Sequence, residues 1–177
     1  MSEITKDGRS FIGYEYKEIY ADQEKASMYI DGYASFGWIA DENIPPAGRL
    51  GKAAVRLKRD RKILNKAELT RLQRHFDSCM AEIDALEKSR YDSAAIRSIS
   101  VGIIGTAFMA GSVFAVTAQP PEIILTIILA IPAFAGWILP YFIFKRTLLK
   151  RTQDTAVLIE QKYDEIYEIC EKGSKLL

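Results

Sequence analysis

Two long apolar segments dominate this sequence and limit what it can fold into. The first runs from Ser98 to Ala118 and the second from Ile123 to Phe144, with Glu122 as the only charged residue between Ser98 and Phe144. As a helix, each segment is about 30 Å long, which matches the hydrocarbon core of a bilayer. Because helices of a soluble core rarely stay uncharged over such a length, the sequence predicts two transmembrane helices, 98–118 and 123–144.

The basic residues give the two spans an orientation. The connection 119–122 contains no Lys or Arg, whereas basic residues precede the first span and follow the second. By the positive-inside rule, both termini are predicted to face the cytoplasm. The basic residues at the bilayer surface would attract anionic headgroups, which makes membrane lipids expected partners. The predicted lipid-headgroup residues are Arg97, Lys145, Arg146, Lys150 and Arg151.

The connection between the spans contains two consecutive prolines and a carboxylate. Residues before a proline are pushed away from helical geometry, so Gln119 and Pro120 are predicted to end the first span. Pro121 suits the start of the next helix, and Glu122 lies favourably at the positive N-terminus of that helix. The alternative is that Glu122 belongs to a ring of carboxylates at the external mouth of a pore.

The N-terminal region, residues 1–62, is predicted to be a small cytosolic α+β domain with the order β-α-β-β. The stretch "YEYKEIYA" from Tyr14 is typical of a strand, and Asp22 is a suitable N-cap for a helix that Gly37 ends. "WIADE" predicts a second strand, and "NIPPAGRLG" predicts a loop. Residues 52–59, "KAAVRLKR", alternate in the manner of a half-buried strand.

The pattern "YEYKEI", a helix, "FGW" and a closing "RLKR" resembles a family of small bacterial domains of unknown function. These domains share a Tyr-x-Tyr-Lys strand, a Gly-Trp after the helix and a basic last strand. The whole chain is similar to uncharacterised two-span membrane proteins of Gram-positive bacteria. Neither resemblance implies an activity or supplies site residues. The basic run "KRDRK" at 58–62 is interpreted as a solvated strand end, with a lipid or nucleic-acid patch as the alternative, and nucleic acid is not an expected partner.

Heptad spacing on both sides of the spans predicts stalk helices at 63–97 and 145–177 that pair as an antiparallel coiled coil. A fold about Pro121 places the two seams in register. The predicted seam residues are Leu72, Phe76, Cys79, Ile83, Leu86, Ala156, Ile159, Tyr163, Ile166 and Cys170. Cys79 and Cys170 stand too far apart along this stalk for a disulfide. Met80, Tyr167 and Ile169 lie off the seam and need a cover, for which the N-terminal domain or a second protomer is expected.

Small residues four apart in the first span allow close helix approach, either within the hairpin or between copies in a homo-oligomer. The candidate helix-packing residues are Gly102, Thr106 and Ala110 on one stripe and Ala107, Gly111 and Ala115 on another. Near the cytosolic end of the second span, Trp137 and Tyr141 are predicted interface anchors. The single histidine, His75, is expected on a solvated helix face, so the sequence predicts no metal, no cofactor and no enzymatic motif.

The predicted fold is therefore a mainly α membrane protein: an antiparallel transmembrane helical hairpin that extends into a cytosolic antiparallel coiled coil, with a small N-terminal α+β domain. The leading hypothesis for its function is a non-enzymatic membrane-anchored scaffold that presents the stalk and the small domain to a cytosolic protein partner. The alternative is a homo-oligomeric ion channel or transport component with Glu122 at the external mouth.

Overall fold

The computed structural model describes residues 13–41 and 52–177. In chain order the elements are β1 Tyr14–Asp22, α1 Gln23–Ala34, β2 Ile39–Ala40, β3 Lys52–Asp60, α2 Lys66–Thr117 and α3 Ile123–Ser174. The predicted loop "NIPPAGRLG" lies outside the described residues. The chain divides into unit 1, which comprises Met1–Met80 and Lys162–Leu177, and unit 2, Ala81–Gln161.

The sheet of unit 1 is antiparallel and has the order β1-β3-β2. β3 is the central strand and pairs with β1 from Tyr14 opposite Asp60 to Asp22 opposite Lys52. β2 adds only two residues, Ile39 and Ala40, where a longer strand was predicted. The alternation along β3 buries Val55, Leu57 and Arg59. Arg59 therefore belongs to the inner face of the sheet and is not the solvated strand end that the basic run predicted.

Phe76 is the centre of the core of unit 1 and is fully buried. Its ring makes edge contacts with Tyr33 and Phe36, with ring centroids 5.7 and 5.8 Å apart. Gly32 lets α1 approach this ring, since a Cβ at Gly32 would lie 2.5 Å from Phe76 Cε2. Each edge-to-face pair adds about 0.5–1.5 kcal/mol beyond the area that it buries. The rest of the buried apolar core of unit 1 includes Trp38, Leu57, Leu69, Leu72, Cys79, Met80, Ile166 and Ile169.

Of the three off-seam residues that the sequence left without cover, two are buried in unit 1. Met80 is fully buried, and Ile169 is 3% exposed. Tyr167 remains 73% exposed. The expectation of a cover is thus met for Met80 and Ile169, whereas Tyr167 lies on the surface.

In unit 2, α2 and α3 pack antiparallel, as predicted. Gly102 and Pro140, each nineteen residues from Pro121, face one another, since a Cβ at Gly102 would lie 3.8 Å from Pro140 Cγ. Ser112 Oγ donates a hydrogen bond to the Thr126 carbonyl oxygen at 3.0 Å, near the turn. Gly102 and Pro140 therefore have the register that a fold about Pro121 predicts, whereas Ser112 and Thr126, nine residues before and five residues after Pro121, depart from it.

The outward surface of this hairpin is apolar. Both helices are long and apolar enough to span a membrane, and only 17% of the most apolar window of α2 and 11% of that of α3 is buried. Ile104, Phe114 and Ile124, for example, are 57%, 75% and 78% exposed. Core helices of soluble proteins bury such side chains, so this surface is the kind that a bilayer covers.

Candidate functional site

A basic pocket lies in unit 2 at the end of the apolar surface. It has a volume of about 490 Å³. Arg97 comes from α2, whereas Arg146, Lys150 and Arg151 come from α3, where a spacing of four or five residues brings them to one side of the helix. The pocket is also lined by Ile143, Thr147 and Asp154. Four of the five predicted lipid-headgroup residues thus line one cavity, and Lys145, which is exposed, is not among them.

The pocket has the charge and donor geometry of an anion site. Four cationic side chains face one carboxylate, that of Asp154, so the lining carries an excess of positive charge. Guanidinium groups bind phosphate through paired N–H donors, and a lysine adds a point charge. Trp137 and Tyr141 precede the pocket on α3 and are 53% and 67% exposed, as residues that contact a bilayer interface are.

The candidate helix-packing residues fall on different sides of α2. Ala115 is buried, and Gly102 and Gly111 are half-buried. Ala107 and Ala110 are exposed on the outer surface of the hairpin. Thr106 is also exposed, but its Oγ1 accepts a hydrogen bond from Trp137 Nε1 of α3 at 3.4 Å, so it contacts the second helix.

The closest approach of the two helices of unit 2 uses glycines that the stripe analysis missed. A Cβ added to Gly136 would lie 2.5 Å from Gly105 Cα, and one added to Gly105 would lie 2.8 Å from Gly136 Cα. Real side chains do not tolerate such distances, so both positions require glycine. The sequence offered one signal for this contact. Gly105 and Gly136 stand sixteen and fifteen residues from Pro121, so a fold about Pro121 brings them almost opposite each other.

Glu122 lies at the entry to α3 and has an exposed side chain. Its carbonyl oxygen accepts the first hydrogen bond of the helix, from the backbone N–H of Thr126 at 3.1 Å. Its own N–H donates to the Ala115 carbonyl oxygen at 3.1 Å. Both bonds use the backbone, and they are those of a residue at the N-terminus of a helix. They agree with the interpretation of Glu122 as part of a structural turn.

Unit 1 contains a polar network that ties α1 to α2. Tyr33 Oη donates a hydrogen bond to Asp77 Oδ1 at 2.6 Å, and Lys17 Nζ lies 3.2 Å from Asp77 Oδ2. Burial, reinforced by the charge of Asp77, raises the pKa of the Tyr33 phenol well above its ordinary value. The phenol therefore remains a neutral donor. Beside it, Trp38 Nε1 donates to Gln73 Oε1 at 2.8 Å. The network fixes the aromatic core rather than activating a nucleophile.

Arg59 and its partners form a second polar cluster in unit 1. The Arg59 guanidinium is 3% exposed, donates to Glu15 Oε1 at 2.6 Å and lies 4.6 Å from the centre of the Trp38 ring. Lys66 Nζ contacts the other Glu15 oxygen at 2.7 Å. Burial alone would raise the pKa of Glu15, but the hydrogen bonds from Lys66 and Arg59 outweigh it and hold this pKa below its ordinary 4.5. Glu15 thus stays ionised and compensates a buried cation.

The lowered pKa of Glu15 predicts acid sensitivity of unit 1. A carboxyl group with a depressed pKa stabilises the folded state above its unfolded pKa, near 4.5, and this stability is lost as the pH falls through the lower folded value. We expect Glu15→Gln to reduce the stability of unit 1 at pH 7 and to flatten its loss below about pH 5, half a pH unit above the ordinary pKa of 4.5. Hydrogen exchange of β1 and β3 amides between about pH 7 and about pH 3, roughly 1.5 units below that pKa, measures both effects.

The control for this test is Glu18→Gln, because Glu18 pairs with Arg56 on a more exposed part of the same strand pair. Surface pairs contribute little to stability, so this variant should follow the wild-type profile. An unchanged pH profile for Glu15→Gln would contradict the assigned role of Glu15.

An apolar groove of about 530 Å³ lies on the surface of unit 1 between α1 and the last turns of α3. Its floor and walls include Met28 and Phe76 from one side and Ile166 and Tyr167 from the other. Two carboxylates, Glu24 and Asp31, lie at its edge. The groove is therefore an apolar surface with an acidic rim. Its remaining lining residues are Ser27, Gly32, Ser35, Tyr163 and Cys170.

The predicted seam residues are placed as follows. In unit 1, Leu72, Phe76, Cys79 and Ile166 are buried, and Tyr163 and Cys170 are half-buried. In unit 2, Ile83 and Ile159 are buried and Leu86 is half-buried, but Ala156 is exposed and Thr155 is buried in its place. Arg90 Nε donates to Thr155 Oγ1 at 2.5 Å, which explains this exchange as a polar contact across the helix pair. Neither cysteine forms a disulfide.

Comparison of the chain with models of known protein families, with curated proteins and with solved structures finds no match.

Proposed function

We propose that this chain is a membrane-anchored interaction protein of the bacterial cell membrane, related to two-span membrane proteins of Gram-positive bacteria. In this proposal residues 98–118 and 123–144 cross the bilayer, both termini lie in the cytoplasm and 145–174 continues as a cytosolic stalk. The observation that carries it is the change along unit 2 from an exposed apolar surface to the basic pocket at Arg97 and Arg146. This order of surfaces matches a bilayer core followed by its anionic cytoplasmic interface.

The topology is tested with reporter fusions. A fluorescent protein at the C-terminus should fold and fluoresce in the cytoplasm. Alkaline phosphatase inserted after Gln119 should be active, since it requires export. Both reporters should remain with the membrane fraction after a carbonate wash. An inactive phosphatase at Gln119, or a soluble fusion, would contradict the two-span topology.

The basic pocket gives the proposal its lipid contact. Arg97 and Arg146 approach it from two helices, so their substitution should remove the donors that a phosphate group needs. We expect Arg97→Gln with Arg146→Gln to reduce co-purified phosphatidylglycerol at least about tenfold relative to phosphatidylcholine, because even one charge-assisted bond contributes about 1.5–3 kcal/mol and about 1.4 kcal/mol is a factor of ten. Lipid mass spectrometry of protein extracted from mixed vesicles gives the ratio. Lys145→Gln is the matched control, because Lys145 is a basic residue of the same helix outside the pocket, and an equal loss in the control would contradict the assignment.

The groove of unit 1 is the surface that we assign to the cytosolic partner. An apolar floor edged by Glu24 and Asp31 is complementary to an amphipathic helix that carries Lys or Arg beside its apolar face. Tyr167, which is 73% exposed, supplies an amphipathic aromatic ring of the kind enriched at protein interfaces. The proposed partner is therefore a basic amphipathic segment of another protein.

Photo-crosslinking in cells tests the groove. A photoreactive phenylalanine at Tyr167 should yield a discrete adduct with the partner. Because basic residues of the partner are expected to pair with Glu24 and Asp31, the double variant Glu24→Lys with Asp31→Lys should abolish this adduct. The same amino acid at Tyr16, which is 67% exposed on β1, is the control. Equal adducts from both positions, or none from Tyr167 under several growth conditions, would contradict the proposal.

A homo-oligomeric channel or transport component is the second candidate. The observation that favours it is the outer face of α2, where Ala107 and Ala110 remain exposed and available for close packing between copies. In this alternative Glu122 lies at the external mouth. Cation flux into vesicles that Glu122→Gln abolishes, together with several copies per particle in mild detergent, would support it. A silent monomer would exclude it.

A further inference from the structure

Three side chains with metal-binding chemistry meet in unit 1. His75 and Cys79 stand four residues apart and therefore on one face of α2, and Glu165 reaches them from α3. One ligand atom from each residue lies within 4.8 Å of the other two. His75 Nε2 and Glu165 Oε1 are already in contact at 2.8 Å. We propose that His75, Cys79 and Glu165 bind a single Zn²⁺ ion.

The distances fit this ion after small side-chain movements. With metal–ligand bonds of about 2.0–2.3 Å, tetrahedral ligand atoms stand roughly 3.3–3.6 Å apart. The pair formed by His75 and Glu165 must open by about 0.5–0.8 Å, and the sulfur and its partners must approach by up to about 1.2–1.5 Å. His75 is 52% exposed and Glu165 is 36% exposed, so both side chains have room to rotate toward the sulfur.

The mixture of donors selects the metal. Thiolate and imidazole are ligands of zinc, whereas Mg²⁺ and Ca²⁺ prefer oxygen ligands throughout. Three protein ligands leave a fourth tetrahedral position, which a water molecule fills from the solvent side, where His75 is exposed. On binding, the Cys79 thiol gives up its proton to solvent and the sulfur donates its electron pair to Zn²⁺. His75 Nε2, which donates to Glu165 Oε1 before the ion binds, gives up its proton to solvent, and the ring takes a proton at Nδ1, so that it binds through Nε2 as neutral imidazole.

The surroundings of Glu165 support a ligand role. Lys162 Nζ contacts Glu165 Oε2 at 2.8 Å, which holds one oxygen and leaves Oε1 facing His75. Ligating carboxylates are commonly oriented by such an outer hydrogen bond.

Within unit 1, the site joins α2, which carries His75 and Cys79, to α3, which carries Glu165. Cys79 is 1% exposed and belongs to the core, whereas His75 and Glu165 lie at the surface above it. An ion bound to all three attaches the last turns of α3 to α2. The inference goes beyond the proposed scaffold function, and neither depends on the other.

Cobalt spectroscopy tests the site on the full chain in a maltoside detergent. The protein is reduced, freed of metal with a chelator and purified without a polyhistidine tag, since the chain has one histidine of its own. Co²⁺ should produce one equivalent of a thiolate-to-cobalt charge-transfer band and visible bands of tetrahedral intensity. Zn²⁺ should then bleach these bands at one equivalent. Absence of the thiolate band would overturn the proposal.

Variants assign the ligands. His75→Gln and Glu165→Gln change exposed side chains, keep the fold and should each weaken Co²⁺ affinity at least tenfold, in the range seen when the shell of a metal site is altered. Cys79→Ser should abolish the thiolate band. Cys170→Ser is the matched control, because burial raises the pKa of the Cys170 thiol and Cys170 is outside the cluster. Unchanged affinity in both exposed variants, or loss of the band in Cys170→Ser, would overturn the assignment whether or not Cys79→Ser folds.

Discussion

Phe76→Ala is expected to lower the free energy of unfolding of unit 1 by about 3–5 kcal/mol. The side chain is fully buried and contacts Tyr29, Tyr33 and Phe36 in edge geometry. Its removal leaves a cavity that Gly32, which has no side chain, cannot fill. Because small domains have stabilities of about 5–15 kcal/mol, this loss removes a large fraction of the total.

Hydrogen exchange of the full chain in detergent measures the loss locally. Amides of α1 and β3 should exchange faster in Phe76→Ala, at rates that report the change in opening free energy. Tyr167→Ala is the matched control, because it truncates an aromatic ring that is 73% exposed, and a surface substitution should change stability by less than about 0.5 kcal/mol. If both variants exchanged alike, Phe76 would not be the centre of the core.

Much of the local structure was predictable from the sequence. β1 begins at Tyr14, as the strand pattern predicted, and α2 begins at Lys66, three residues after the predicted start of the stalk helix at 63. α2 ends at Thr117 and α3 begins at Ile123, on either side of the predicted turn. These features follow from apolar periodicity, proline geometry and charge, all of which act over a few neighbouring residues.

The charged contacts of unit 1 were not predictable in this way. Arg59 reads as one more cation in a basic run, and only the pairing of β1 with β3 shows that Glu15 lies opposite it. His75 reads as a solvated residue, and a strict fold about Pro121 would place it opposite Tyr167 rather than Glu165. A shift of two residues along a helix rotates the side chain by about 200°, so the register must be known closely before such pairs can be named. The basic residues of the pocket were easier to predict, because most of them lie close together in the sequence.

The packing of the hairpin in unit 2 shows the same dependence on helix rotation. Stripes of small residues are visible in the sequence. Which stripe faces the second helix depends on the rotation of each helix about its axis. Hydrophobicity does not fix this rotation in a segment that is apolar on all sides. The structure selects the face that contains Gly105 and Ala115 and leaves Ala107 and Ala110 outside. Substitutions at the contact of Gly105 with Gly136 are the most direct test of which helix faces meet.

Gly136→Ala is expected to destabilise the hairpin of unit 2 by about 1–3 kcal/mol, the usual cost of overpacking. The new Cβ would lie 2.5 Å from Gly105 Cα and 3.0 Å from the Gly105 backbone nitrogen, so the helices must separate locally. By helix propensity alone, the substitution would be favourable by about 1 kcal/mol. The sign of the effect therefore distinguishes a backbone contact from a free helix position.

Gly102→Ala is the matched control, because its Cβ would meet only Pro140 Cγ at an ordinary 3.8 Å. This variant should be neutral or more stable by up to about 1 kcal/mol. Titration of detergent-solubilised protein with sodium dodecyl sulfate, followed by energy transfer between dyes on the two helices of unit 2, gives both values. Gly105→Ala should behave as Gly136→Ala does, and the double variant should cost less than the sum, since separation of the helices relieves both clashes at once. Equal stability of the Gly102 and Gly136 variants would contradict the close approach at this point and with it the rotation assigned to both helices.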